Sequence, residues 1–350
     1  MKSNKLLAVV LVLAFAMLVG CTSAEPAETS APRETPETAN PPETSEPTAP
    51  AAASTTQPEP AAAFTVDTRI QDVMDDPAFG DYGRLIFPVS SSYMRGDTLG
   101  TLDLSWYSHI DPAKTVEIAN WMKNQAVAGE TIFYDIYTPE EKAGDPAKAD
   151  TGLFFFKGAP GAKFALCNAG GGFAYVGAMH DSFPHALELS KMGYNAFALI
   201  YRPGMQNAYE DLARAIRFVF DHGEELEVDT EGYSLWGGSA GGRMAVTLGT
   251  SGTGAYGEIE LPRPAAVVVE YAPVESYFAD NPAIYGCIGE RDGIVSWSNM
   301  KASIDEMAAL GIDTEFHSYA ELGHGFGLGT GTAAEGWLNE AVAFWEKQTQ

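Results

Sequence analysis

Beyond residue 130 the sequence predicts an α/β fold: a mostly parallel central sheet with helices on both faces. Two observations predict it. Short, continuously apolar runs recur along the chain, and between them lie segments whose apolar residues repeat at helical spacing. Runs that are apolar throughout, rather than alternating, suit strands covered on both sides, as in a parallel sheet between two helical layers. A third observation indicates where chemistry would sit. The glycines at 170–172, Ser239, Asp292 and His324 each follow such a run, and ligands of open α/β sheets gather at the carboxyl ends of the strands.

Taken in order, "TIFYDIYTP" (131–139) and "TGLFFFKG" (151–158) alternate and turn like antiparallel edge strands. "KFALCNAGGGF" (163–173) is a buried run ending in glycines, followed by an amphipathic "PHALELSKMG" (184–193) that stops at Gly193. "YNAFALIYRPG" (194–204) leads into a helix over 207–222 with Leu212, Ile216 and Phe220 on one stripe. "GYSLWGGS" (232–239), "PAAVVVEYAP" (264–273), "PAIYGCIGERDG" (282–293) and "TEFHSYAELGHG" (314–325) supply four further runs. Helices are expected over 298–311 and 334–348.

Ser239 stands in "GGSAGG", which fits G-x-S-x-G with a strand before it and a helix after it. A turn that tight leaves no room for side chains two positions either way, so Gly237 and Gly241 are steric conditions for presenting the hydroxyl at a helix N-terminus, where partial positive charge favours a developing anion. A serine hydroxyl needs a base, and the base needs an acid to hold it. Of the six histidines, His324 in "ELGHGFG" follows the last strand in a glycine-flanked loop. His317 lies within that strand, His222 ends a helix, and His180 and His185 follow the glycine loop as substrate-side candidates. Asp292 in "GERDG" is the expected acid, with Glu270, Glu275 and Glu290 as runners-up. An oxyanion formed at the acyl carbonyl would be held by N–H groups of Gly171, Gly172 and Ala240, a contribution of roughly 3–4 kcal/mol per donor in comparable sites. No metal or organic cofactor is expected.

These residues carry a resemblance. From about Phe154 onward the chain resembles the α/β-hydrolase superfamily, through "AGGGF", Tyr201-Arg202, "DLARAIRFV", "GGSAGG", "GERDG" and "LGHGFG". It is most similar to compact bacterial esterases of the feruloyl and acetyl-xylan esterase-like groups. The resemblance implies a serine hydrolase acting through an acyl-enzyme on short esters, acetylated carbohydrates among them. Ala169 stands where hormone-sensitive-lipase relatives carry a histidine, which argues against that branch. "GGSAGG" is also similar to the motif of prolyl-oligopeptidase-type peptidases, so a peptidase on short peptides is the alternative enzyme. A non-catalytic surface-binding lipoprotein is the alternative outside enzymes.

The first 130 residues read differently. Lys2 and Lys5 precede an apolar run from Leu6 to Val19, the layout of a signal peptide over residues 1–20. Leu18-Val19-Gly20-Cys21 resembles the bacterial lipobox, which implies a lipid on Cys21 and an extracytoplasmic, membrane-anchored protein. Residues 21–63 are rich in Pro, Thr, Ala and Glu, lack apolar surface to offset ordering entropy, and are expected to form a disordered tether. Residues 64–130 are expected to pack as an extension on a catalytic domain spanning 131–350. In that extension Trp106, Tyr107 and Trp121 suit either an acyl or sugar site or the packing of an extra helix on a sheet edge. A net charge of −26, from 47 acidic and 21 basic residues, excludes the basic face that nucleic acid requires. Cys167 and Cys287 lie in apolar runs and are expected to be buried free thiols.

Overall fold

The computed structural model describes residues 62–350. The expected signal peptide, Cys21 and nearly all of the expected tether lie outside the described residues. Eight strands form one sheet: β1 (Phe133–Tyr134), β2 (Gly152–Phe156), β3 (Lys163–Asn168), β4 (Asn195–Ile200), β5 (Asp229–Gly238), β6 (Ala266–Glu270), β7 (Ala283–Gly289) and β8 (Thr314–Tyr319). Their spatial order is β8-β7-β6-β5-β3-β4-β2-β1. β2 runs antiparallel to both β1 and β4, and every other pairing is parallel. The central strands β2, β4 and β6 are buried at every position, which is why their sequences read as unbroken apolar runs.

Six longer helices accompany the sheet: α1 (Pro112–Val127), α2 (Phe183–Lys191), α3 (Met205–His222), α4 (Ala240–Ser251), α5 (Trp297–Ala309) and α6 (Trp337–Lys347). Local chemistry sets several starts. The Asp111 carboxylate accepts from the Ala113 N–H at the head of α1, with Pro112 at the first helical position, and the Ser296 hydroxyl accepts from Asn299 N–H at the head of α5. Alternation along β6 separates the two helical layers. Val267 and Val269 close on Gly249 and Gly242 of α4, whereas Glu270 points to the other face, against His185 of α2. Because side chains alternate along a strand, one residue's change of parity decides which layer it joins.

Two features fasten the periphery. Arg202, just after β4, donates from Nη2 to Asp211 of α3 at 2.7 Å and from Nε at 2.9 Å, and the Tyr137 hydroxyl donates to the same carboxylate. Burying this pair is tolerable because every acceptor is used. On the antiparallel edge, residues from the N-terminal segment cover the sheet: Tyr82 stacks on Phe133 at 5.1 Å and Trp121 on Phe156 at 4.6 Å. Cys167 and Cys287 are both buried and free.

Candidate active site

β5 ends at Gly238 and α4 begins at Ala240, so Ser239 alone makes the turn, with φ 52° and ψ −119°. A non-glycine residue held there carries strain of about 1–3 kcal/mol. The turn closes because its neighbours lack side chains. A Cβ on Gly241 would overlap the carbonyl of Asn168 at the end of β3, and one on Gly237 would overlap the backbone of Gly241. The Ser239 N–H is satisfied by the carbonyl oxygen of Glu270 at 2.9 Å, which pins the turn to the adjacent strand and leaves the hydroxyl outward.

The hydroxyl meets a histidine. Ser239 Oγ donates to His324 Nε2 at 2.9 Å, and His324 Nδ1 donates to Asp292 Oδ2 at 2.7 Å. The other oxygen, Asp292 Oδ1, accepts from the N–H groups of Ile294 and Val295, both at 2.8 Å. Those two donors satisfy the second oxygen of a side chain that is fully buried. The three residues thus lie beyond β5, β7 and β8, brought side by side by the parallel register of adjacent strands.

The glycine loop after β3 lies against this series. A Cβ on Gly170 would stand 2.9 Å from Ser239 Cβ. Gly170 N–H donates to Asp181 Oδ2 at 2.6 Å. Among the described residues the N–H groups of Gly171, Gly172 and Ala240 have no acceptor, so they are free to receive a ligand oxygen. Gly171 and Gly172 have φ of +125° and +59°, conformations that suit glycine. The ring of Trp106 packs over Gly172 and is itself about half exposed at 49 %, placing an aromatic face at the mouth of the site.

Beneath the serine lies a second polar group, sealed from solvent. Asp181, His185 and Glu270 are all buried, with one ligand atom from each within 4.8 Å of the others. They are the one group among the described residues with the composition to hold a metal ion. Asp181, however, already accepts from three donors: Gly170 N–H, Tyr107 Oη at 2.9 Å and Tyr271 Oη at 2.5 Å. Burial pushes the His185 imidazole down to about 4, and burial, aided by the charge of Asp181, pushes the Glu270 carboxyl well above its ordinary range. Burial thus favours the uncharged form of both groups.

The comparisons agree on architecture. A family model described as BD-FAE matches residues 163–276, a span that contains the glycine loop and Ser239 and stops short of Asp292 and His324. No curated protein matches the chain in sequence. Among solved structures, a thermophilic esterase from the Planctomycetes species Thermogutta terrifontis with propionate bound superposes with a TM-score of 0.52 at 20% identity, covering 61% of this chain and 93% of that one. Its native form gives 0.51 at 19%, covering 61% and 90%. An α/β-hydrolase enzyme from a Medee basin deep-sea metagenome gives 0.49 at 22%, covering 57% and 92%.

The chain has the α/β-hydrolase fold.

Within that hydrolase fold the other sequence candidates fall away from Ser239. His180 and His185 are buried and do not face a substrate. His180 Nε2 bonds the carbonyl of Gly325 at 3.0 Å, and His185 Nε2 has no partner. Their place after the glycine loop suggests substrate-side groups, but the short helical turn Ala178–Asp181 carries the chain inward. His317 stacks on Tyr285 and bonds Glu315 at 2.7 Å, and His222 pairs with Glu225. Of the runner-up acids, Glu275 pairs with Arg243, Glu290 accepts from Ser318, and Glu270 points to the opposite face. Of the three extension aromatics, Trp106 and Tyr107 reach the site, whereas Trp121 packs on the sheet edge. Asp181 and Tyr271 went unnoticed in the sequence. The available signal was an acid nine residues beyond Gly172 inside the largely apolar "YVGAMHDSFPHAL".

Proposed function

We propose that this protein is a serine hydrolase, a carboxylesterase that cleaves short acyl esters, with acetylated carbohydrates as its substrate class. The unbroken hydrogen-bonded series from Ser239 Oγ through His324 to Asp292 carries the proposal. In the first half-reaction Ser239 Oγ bonds the acyl carbonyl carbon while His324 Nε2 takes the hydroxyl proton. Asp292 orients the imidazole and favours its charged form. The N–H groups of Gly171, Gly172 and Ala240 receive the oxyanion, and His324 returns the proton to the departing alcohol. Water then repeats the sequence on the acyl-enzyme. The helix dipole of α4, whose N-terminus begins at Ala240, adds to the stabilisation.

Short acyl groups fit this reading for two reasons. No long apolar lid is visible in the sequence, and the fold neighbour from Thermogutta terrifontis is an esterase described with propionate bound. A lipid-carrying Cys21 and an extracytoplasmic location belong to the same proposal and rest on the N-terminal residues alone. Among the described residues no helix is long and apolar enough to cross a membrane.

The test compares nitrophenyl acetate, butyrate and octanoate, then acetylated xylo-oligosaccharides, with the parent and Ser239→Ala. Hydrolysis that is greatest for acetate and lost in the variant supports the proposal. Rates that rise toward octanoate contradict the short-acyl assignment, and cleavage of proline-containing peptides with no ester turnover would favour the peptidase instead.

A further inference from the structure

We propose that Asp181 is a positioning residue for this chemistry, anchoring the glycine loop whose Gly171 and Gly172 N–H groups face the oxyanion and holding the Tyr271 ring against His324. The inference rests on reading Ser239 as the nucleophile.

The carboxylate gathers three donors from three separate parts of the chain, and each part borders the reacting groups. Gly170, whose N–H it accepts, lies against Ser239. Tyr107 comes from the N-terminal extension, and its Cα would stand 2.9 Å from a Cβ on Gly325, the residue after His324. Tyr271 follows β6, and its ring packs edge-on against the His324 ring at 5.0 Å. Asp181 itself fits under the strand end: a Cβ on Gly238 would stand 2.6 Å from its Oδ1.

A peptide plane is rigid, so the bond from Gly170 N–H to Asp181 fixes the plane shared with the Ala169 carbonyl, through which the chain enters the glycine loop. The far side of the loop is held as well. Gly171 O accepts from Ala174 N–H at 2.9 Å, and Gly170 O accepts from Gly177 N–H at 3.0 Å. Two glycines at positive φ would otherwise be conformationally loose. Anchored at both ends, their N–H groups keep one direction without reorganising as charge develops, which is the condition for oxyanion stabilisation.

The same carboxylate also holds the ring beside His324. Every donor to Asp181 is neutral, and the titratable groups around it (Tyr107, Tyr201, Tyr271, His180, His185 and Glu270) are all buried or half-buried in the same region. Burial and the nearby anion push Tyr107 and Tyr271 upward, while burial pushes both histidines downward. Among the described residues no cation pairs with the carboxylate, so these neutral donors alone hold it, and one of them, Tyr271, carries its ring against His324. Packing alone gives no reason for a buried carboxylate here, because a neutral residue would avoid the desolvation cost.

The experiment uses Asp181→Asn, which keeps the volume but turns one acceptor into a donor. Two readouts are needed: ester turnover, and the rate at which diisopropyl fluorophosphate labels Ser239. In the labelling step the Oγ–P bond forms, the P–F bond breaks, fluoride leaves and the serine proton passes to His324. Expected are a fall in kcat on the order of 100-fold with KM within about threefold and a comparable fall in labelling rate. Parental kcat and labelling in a folded Asp181→Asn overturn the proposal. If that variant does not fold, Tyr271→Phe decides, since it keeps the ring on His324 and cuts the bond to Asp181. A labelling rate at least about threefold lower supports the proposal, and the parental rate overturns it. If the parent itself takes no label, the serine hydrolase reading fails and the role of Asp181 with it; a labelled parent with an equally labelled variant sinks only the present inference.

Discussion

Two acid–histidine pairs lie near one end of this sheet, and they are built to opposite effect. In the outer pair, Asp292 and His324 are 2.7 Å apart, the second carboxylate oxygen is filled by two backbone N–H groups, and the far ring nitrogen meets the Ser239 hydroxyl. In the inner pair, Glu270 and His185 are 3.5 Å apart, and His185 Nε2 and Glu270 Oε2 have no partners. The residue types are nearly the same. Donors make the difference: two backbone N–H groups and the His324 ring meet the Asp292 carboxylate, whereas burial drives Glu270 and His185 toward their neutral forms. An acid next to a histidine becomes a proton relay only when the acid is held as an anion and the far nitrogen faces a proton to take.

The comparison can be broken most directly at the outer pair. Ser239→Ala should lower ester hydrolysis by roughly three orders of magnitude or more while the thermal midpoint holds, read by turnover and calorimetry. Asp292→Asn should lower kcat by about 10³- to 10⁴-fold, because the amide disfavours the required tautomer. Glu270→Gln should leave kcat within about threefold. A large loss in Glu270→Gln beside a small one in Asp292→Asn would reverse the assignment of the two pairs.

A sharper version uses pH and stability. Glu270 has a folded-state value well above its ordinary 4.5, so its contribution to stability is complete below about 4.5 and is lost as pH rises toward the folded value. Glu270→Gln removes that loss, so its unfolding midpoint relative to the parent should climb as pH rises above about 4.5. His185 works the other way. Its value is depressed from 6.5 to about 4, so the neutral ring contributes above pH 6.5, and that contribution is lost as pH falls toward 4. A parent and Glu270→Gln with parallel stability curves would contradict the neutral inner pair. The smallest expected effect is at the mouth. Trp106→Ala should raise KM for acetylated xylo-oligosaccharides about fivefold, on the order of 1 kcal/mol for one aromatic contact, and an unchanged KM would remove Trp106 from substrate contact.

The outer pair was legible in the sequence and the inner one was not. Ser239, Asp292 and His324 each follow an apolar run and sit in or beside glycines, so their local settings mark them as strand-end loop residues. His180 and His185 carry the same residue type and follow a glycine loop too, yet they are buried. Their direction depends on the turn Ala178–Asp181, which no spacing rule reveals. Tyr271 likewise reads as the tail of an apolar strand. Its hydroxyl acquires a partner only because Asp181, 90 residues earlier, lies beneath the adjacent strand.

By itself, then, the sequence determined the layers of the fold and the exposed chemical edge. Both follow from local physics: apolar periodicity sets which segments become buried strands or amphipathic helices, and glycine spacing sets where a serine can make a tight turn. Only the tertiary structure decided which acid meets which histidine, which N–H groups stay free at the glycine loop, and which charge lies buried under Ser239. Those outcomes depend on strand order and side-chain parity across segments far apart in the chain, where a single step along a strand moves a carboxylate such as Glu270 from one face of the sheet to the other.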